Sequence, residues 1–280
     1  MTDYARLLTE QGNPKSINID KKPIPQILDI INSEDASVAD AVSRAKPSIV
    51  KAIEIIISAL SKGGRLFFIG AGTSGRLGVM EAAECPPTFN TNPKLIQAII
   101  AGGKGAVWHS IEGAEDNLKD GKLQISKHHI KLQDVVVGIA ASSVTPFVMG
   151  ALAYAKMIGC HTIFITCAKL RGKVADITIA PLTGPEVITG STRMKAGTAT
   201  KMVLNMLTTA SMIKLGKVYQ NLMIDLQPKS RKLRERAIRI IMVLAKTNRR
   251  SAVSYLRRAK NRVRDAIIMA IKDSKDKAVT

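Results

Sequence analysis

The stretch Arg65 to Glu84, RLFFIGAGTSGRLGVMEAAE, constrains this chain more than any other. A short apolar run, Leu66-Phe67-Phe68-Ile69, has the length and composition of a buried strand. It stops at Gly70-Ala71-Gly72-Thr73-Ser74-Gly75, and Leu77, Met80 and Ala83 then recur at helical spacing. A strand that ends in a Gly/Ser/Thr turn and opens a helix is suited to hold an anion. Unpaired backbone N–H groups, hydroxyls and the positive end of the helix dipole point at one place. Glycine lets a ligand oxygen approach the backbone closely. Phosphate is the expected anion. Glu81 and Glu84, three residues apart on one helix face, are expected to act on whatever carries it.

The loop lacks the Gly-Lys-Ser/Thr ending of a nucleotide P-loop. Gly70, Gly72 and Gly75 do form GxGxxG, the dinucleotide fingerprint. About twenty residues on, where that fingerprint needs an acid for a ribose, the chain reads Asn90-Thr91-Asn92-Pro93-Lys94-Leu95. Thr73 and Ser74 add hydroxyls that suit a terminal phosphate monoester. Taken alone, the same residues also fit a Gly-rich connection that binds nothing.

The rest of the chain supplies a setting. Met1 to Asp20 is polar and irregular, and is expected to be an arm that needs another surface to order it. Pro23–Asn32 reads as a short helix, and Ser33–Lys62 as helix interrupted at Pro47 and ended by Gly63-Gly64. Strand-like runs follow at Arg65–Ile69, Leu95–Ala101, Val135–Ala140, His161–Thr166 and Ile177–Ala180, with helical segments between most of them, such as Thr145–Ile158. A long helix is expected over Thr192–Gly216, and basic amphipathic helices around Arg231–Ala245 and Ala252–Ile271. Their apolar face is expected to include Leu233, Ile240, Ile241, Leu244, Leu256, Val263, Ile267, Ile268 and Ile271. Alternating β and α with near-continuous apolar strands predicts an α/β fold: a three-layer αβα sandwich around a mostly parallel sheet, plus a small C-terminal helical unit. The expected partition is 1–46 for the arm and first helices, 47–227 for the sheet domain and 228–280 for the basic helical unit. In such sheets ligands sit beyond the carboxyl ends of the strands.

Two more loops follow the logic of the first. Ala141-Ser142-Ser143-Val144-Thr145-Pro146 lies between a strand and a helix, and Gly190-Ser191-Thr192-Arg193-Met194-Lys195 opens the long helix. Each can cap a helix or hold an anion. Glu112-Gly113-Ala114-Glu115-Asp116 places acids after the second strand. Two separately placed carboxyls supply the acid and base of an elimination; taken alone, Glu115-Asp116 also fits a helix N-terminal turn, where acids are favourable.

Charge and cysteine use narrow the classes. The net charge of +20 suggests polyanions, but much of it is in the tail, where from Lys229 onward Lys and Arg outnumber Asp and Glu 17 to 4. Aromatic residues make up 4% of the chain, too few for a base-stacking platform, so no dedicated nucleic-acid partner is expected. No apolar run approaches a membrane span and the N-terminus has no basic-then-apolar signal pattern, which leads to the expectation of a cytoplasmic protein away from membranes. Cys85, Cys160 and Cys167 have no CxxC spacing and read as reduced core residues. His109, His128, His129 and His161 have no metal-ligand spacing, and no metal or cofactor is expected.

Over about Leu8 to Arg239 the chain resembles the bacterial N-acetylmuramic acid 6-phosphate etherases of the sugar isomerase (SIS) domain superfamily. The resemblance rests on TEQGNPKSINID, INSEDASVADAV, GGRLFFIGAGTSGRLGVMEAAECPPTF, EGAEDN, DVVVGIAASSVTPFVMGAL, GPEVITGSTRMKAGTATKMVLNML and KLGKVYQNLMIDLQ. It implies a lyase of cell-wall recycling that removes D-lactate from N-acetylmuramate 6-phosphate. It further implies Glu115 as the base at C2 and Glu84 as the proton donor, and a homodimer with sites near the subunit interface. Gly72, Thr73, Ser74, Ser142, Ser143 and Thr145 are then the expected phosphate and sugar contacts, with Ser191, Thr192 and Lys195 as additions.

The chain departs from the family pattern at three places. Gly12 stands for an arginine, Ser143-Val144 for a glycine and a basic residue, and Pro228-Lys229-Ser230 for an Ala/Thr-Asn ending. Two rivals share the motifs. One is a non-catalytic sugar-phosphate regulator resembling the glucokinase regulatory protein, which has two such domains where this chain has room for one. The other is an aldose–ketose phosphate isomerase, which should lack the ECPPTF and EGAED segments.

Overall fold

The computed structural model describes residues 7–170 and 172–276. The remainder of the expected arm and tail lies outside the described residues. Five strands form one parallel sheet: β1 (Leu66–Gly70), β2 (Ile96–Ile100), β3 (Val135–Ile139), β4 (His161–Ile165) and β5 (Ile177–Ile179). Their order is β2-β1-β3-β4-β5, so the chain reverses its direction of winding between β1 and β3. Register is tight at that point: Gly70 at the end of β1 stands level with Ile139 of β3 on one side and Ile100 of β2 on the other.

Helices cover both faces. Phe67, Ile69, Val136 and Phe164 share one core with Ile125 of α4 (Leu118–Lys127) and with Phe147, Val148, Ala151 and Leu152 of α5 (Pro146–Met157). Phe68, one residue out of phase, points the other way and meets α3 (Gly72–Phe89) at Gly78. A Cβ on Gly78 would stand 2.9 Å from Cβ of Phe68, so this helix lies against the sheet more closely than any residue with a side chain allows. α2 (Lys46–Ser61) lies over β3 and β5. The expected three-layer α/β fold is present, and every described strand pairing is parallel.

Local boundaries differ from expectation in ways that have physical causes. α1 runs unbroken over Ile24–Arg44, and α2 starts at Lys46. The break falls at Ala45 because Pro47 occupies the first turn of α2, where its missing N–H costs nothing. The Pro86-Pro87 pair lies inside α3. The two carbonyls one turn back lose their partners, but Ala83 is exposed and its carbonyl can turn to water. The ladder resumes with the Asn90 N–H on the Pro86 carbonyl at 2.9 Å, and the helix stops where Asn90 takes φ 53°.

The N-terminal arm does not wait for another surface. Short 3-10 turns at Leu8–Glu10, Pro14–Ser16 and Ile19–Lys21 hold it against its own chain. The Asn13 amide donates to Glu34 of α1 at 2.7 Å and to the Pro185 carbonyl at 3.3 Å, and the Gly190 N–H donates to the Thr9 carbonyl at 3.0 Å.

The described residues of Met1–Ala83 and Lys94–Ser211 make one compact unit, and those of Glu84–Pro93 and Met212–Thr280 another. Asn13 bonds the described part of the arm to Glu34 in the first unit, and Leu226 packs in the core of the second. That second core holds Ile238 and Ile241 of α7 (Arg231–Leu244), Leu256 of α8 (Arg249–Arg258) and Val263 and Ile267 of α9 (Val263–Asp276). The helical stretch expected around Ala252–Ile271 is parted into α8 and α9 where Lys260 and Asn261 take positive φ. Ile268 and Ile271, expected on the packed face, are exposed, at 59% and 36%. No described helix is long and apolar enough to cross a membrane.

Candidate active site

The reversal of winding puts the crevice of the sheet beyond Gly70 and Ile139. Gly72, at φ +50°, turns the chain out of β1 and directly into α3. Thr73 and Ser74 therefore lie in the first helical turn rather than in a loop before it. The Gly75 N–H already donates to the Ala71 carbonyl at 3.1 Å. The N–H groups of Gly72, Thr73 and Ser74 come before that first bond and are the donors left for an anion.

Alongside, β3 ends in the Ser142–Thr145 loop, which opens α5 with Pro146 in its first turn. Thr145 occupies the N-cap position but makes no side-chain cap bond. Ser143 is held at φ 67°, in the left-handed region where glycine is most at ease, and its N–H closes a turn on the Ala140 carbonyl. This is the position where the resemblance has glycine. Among the described residues, the hydroxyls of Thr73, Ser74, Ser142, Ser143 and Thr145 donate to no protein acceptor. The structure thus brings the two expected loops to adjacent strand ends with their hydroxyls unspent.

On the opposite flank of β1 comes the segment after β2. Glu115 is on a 3-10 turn, Ala114–Asp116, set up by Gly113 at φ 72°. Asn117 then caps α4 by accepting from the Asp120 N–H, so Glu115 precedes the helix and is not spent on its first turn. Ala114 packs into the core beneath, while Glu115 is exposed and lines a cavity of ≈ 220 Å³. That cavity is shared with Gly72, Arg76, His109, Ser110 and Glu112. The N-terminal end of α3 and the expected base therefore open on one space.

Arg76 was not legible as a site residue. It follows the Gly-Thr-Ser-Gly turn by one position, and its Nε donates to the Val107 carbonyl at 3.0 Å and its Nη2 to the His109 carbonyl at 3.3 Å. A second cavity, ≈ 350 Å³, is lined by Thr73, Leu77, Arg193, Gly197, Thr198, Lys201 and Met202. Ser191 and Thr192 sit in the turn before α6 (Lys195–Lys214) and do not cap it. Glu186 does, with both carboxylate oxygens accepting from the N–H groups of Lys195 and Ala196 at 2.9 Å.

Lys195 is 2% exposed, and its ammonium sits on Glu34 at 2.5 Å rather than in either cavity. Burial works against ionisation of Glu34, but hydrogen bonds from Lys15, Lys195 and Asn13 outweigh it and hold the carboxyl at about 2. Glu81 is likewise buried, accepting from Lys201 and from Thr208, so it is not placed to act on a ligand. Glu84, the other acid of α3, is exposed and belongs to the second compact unit. The three cysteines are buried and free; burial pushes Cys167 up to about 12 and Cys160 up to about 11, which keeps both as unreactive thiols. No cluster of three or more His, Cys, Asp or Glu among the described residues could hold a metal ion.

The chain is similar to known proteins over most of its length. Residues 48–156 match the family of the glucokinase regulatory protein N-terminal SIS domain. An N-acetylmuramic acid 6-phosphate etherase of Glaesserella parasuis is 51% identical, over 96% of this chain and 89% of that protein. The chain belongs to the N-acetylmuramic acid 6-phosphate etherase family. Etherases from Picosynechococcus and Clostridioides difficile are each 50% identical, over 94% and 97% of this chain and 88% and 90% of their own lengths. Solved structures share the fold. An Escherichia coli CFT073 protein in complex with A5P superposes with a TM-score of 0.51 at 17% identity, covering 71% of this chain and 97% of its own. A Bacteroides fragilis protein assigned as a phosphosugar isomerase involved in capsule formation has the same TM-score at 18% identity, over 70% and 94%. The chain thus shares the fold of these structures.

Proposed function

We propose that this chain is a carbon–oxygen lyase that cleaves the D-lactyl ether of N-acetylmuramate 6-phosphate, giving N-acetylglucosamine 6-phosphate and D-lactate. The observation that carries the reading is the shared cavity of Gly72 and Glu115, which sets a carboxylate beside an anion-binding helix end. The free N–H groups of Gly72, Thr73 and Ser74, with the hydroxyls of Thr73, Ser74, Ser142, Ser143 and Thr145, hold the 6-phosphate and the sugar. Ser191 and Thr192 border the second cavity's Arg193 in sequence and are the weaker part of this contact set. Lys195 acts on the substrate through the position of that loop, its own charge being taken by Glu34.

The sugar opens to its aldehyde, which acidifies the C2 proton. Glu115 takes that proton. The C3–O bond breaks as the C2–C3 double bond forms, and Glu84, assigned from the family segment Glu84-Cys85-Pro86-Pro87-Thr88-Phe89, protonates the departing D-lactate oxygen. Water then adds at C3 and a proton returns to C2, so one water is consumed in all. The whole sequence needs acid, base and anion binding. The enzyme works as a homodimer in the cytoplasm, in recycling of cell-wall amino sugar.

Incubation with N-acetylmuramate 6-phosphate should release D-lactate, and unphosphorylated N-acetylmuramate should release far less. Binding of the sugar phosphate without D-lactate would replace this reading with that of a regulator of the glucokinase-regulatory-protein kind.

A further inference from the structure

The substrate carries two anions, and the phosphate accounts for one. The second is the carboxylate of the lactyl arm. That arm is attached at C3, next to the carbon from which Glu115 takes its proton, so the reaction itself brings a second carboxylate within a few bond lengths of Glu115. Glu112 lines the same cavity. Like charges at such separation repel strongly unless a cation stands between them. Among the described residues lining this cavity, Arg76 supplies the permanent positive charge.

The guanidinium is placed for it. Nε and Nη2 are fixed on the Val107 and His109 carbonyls, which orients the planar group without neutralising it. Nη1 has no hydrogen-bond acceptor among the described residues. The cavity volume, ≈ 220 Å³, is below the roughly 300–1,000 Å³ that encloses a whole drug-sized ligand. It suits one end of the substrate, with the phosphate at its rim where Gly72 opens α3. Resting on the etherase reading above, we propose that Arg76 receives the lactyl carboxylate through its free N–H groups and makes the site select ethers that carry one.

The test compares N-acetylmuramate 6-phosphate with its carboxamide analogue, in which the lactyl carboxylate is an uncharged amide of the same shape. The kcat/KM for release of D-lactate or D-lactamide is measured for the unmodified enzyme and for Arg76→Gln. The unmodified enzyme should prefer the carboxylate by about 10–100-fold, as expected for a charge-assisted hydrogen bond. In Arg76→Gln the preference should fall to near unity, whatever happens to the absolute rates. An equal loss on both substrates, with the preference kept, would leave Arg76 as a brace of the 107–109 segment and overturn the proposal. So would an unmodified enzyme that treats both substrates alike, a result that needs no variant to fold. If the unmodified enzyme released neither D-lactate nor D-lactamide, the etherase reading itself would fall first.

Discussion

Lys195 and Glu34 form a buried ion pair, 2.5 Å from Nζ to Oε2, between side chains 3% and 7% exposed. The pair joins the first residue of α6 to the middle of α1, and Asn13 and Lys15 complete the shell around the carboxylate. Lys195→Met leaves Glu34 buried without its deepest partner. Stability should fall by about 3–5 kcal/mol, the usual result of breaking such a pair from one side. Urea unfolding measures it. A Lys195→Met protein of unchanged stability and raised KM would instead make Lys195 a direct phosphate ligand.

The same carboxylate sets an acid limit. Glu34 is held at about 2 in the folded chain, below its ordinary value of 4.5. A depressed carboxyl stabilises fully above its unfolded value and loses that contribution as pH falls toward the folded one. The stability advantage over Glu34→Gln should therefore shrink by about 2 kcal/mol between pH 6 and pH 3. An advantage that stays constant over that window would show that Glu34 is not depressed.

Glu115→Gln keeps shape and removes the base. D-Lactate release should fall by about 10²–10⁴-fold, and the substrate C2 hydrogen should cease to exchange with solvent deuterium. Exchange at the unmodified rate would take Glu115 out of this role.

Ser74→Ala removes one hydroxyl from the first turn of α3. A hydrogen bond to a charged group contributes about 1.5–3 kcal/mol, so affinity for 6-phosphorylated sugars should fall at least about tenfold. Equal affinity in a titration with N-acetylglucosamine 6-phosphate would move the phosphate elsewhere.

The basic helices offer a contrast. Arg249 is already in a two-bond pair with Glu235, at 2.8 Å each, so the exposed Arg250 and Arg257 are the better probes. Changing both to glutamine should weaken retention on heparin and lower the salt needed for elution, with D-lactate release within about twofold. A large fall in turnover of a folded protein would give these helices a part in the chemistry.

Much of this was legible in the chain. The apolar runs located the five strands to within a residue or two, because a strand buried on both faces must be apolar throughout. The turn at Gly72–Ser74 was legible for the same local reason. What escaped depends on partners far away in sequence. The order β2-β1-β3-β4-β5 is a property of pairing, and the arm looked loose because Asn13 finds Pro185, 172 residues on. Lys195 and Glu81 read as functional charges because their partners, Glu34 and Lys201, lie 161 and 120 residues away. Arg76 was passed over because its hydrogen bonds go to backbone carbonyls, which leave no mark on the sequence.

Gly78 shows how little separates a folded protein from a working one here. One methyl group at this position, meeting Phe68 at 2.9 Å, has nowhere to go except to lift α3 from the sheet. The first turn of that helix is the proposed phosphate cradle, so a shift of under an ångström at the pivot would reach the ligand as a mis-aimed set of amides. The sheet and its opposite core would survive such a change. Loss of turnover without loss of fold is therefore the mark that Gly78→Ala should leave, and along this helix the missing atoms set the aim of those that remain.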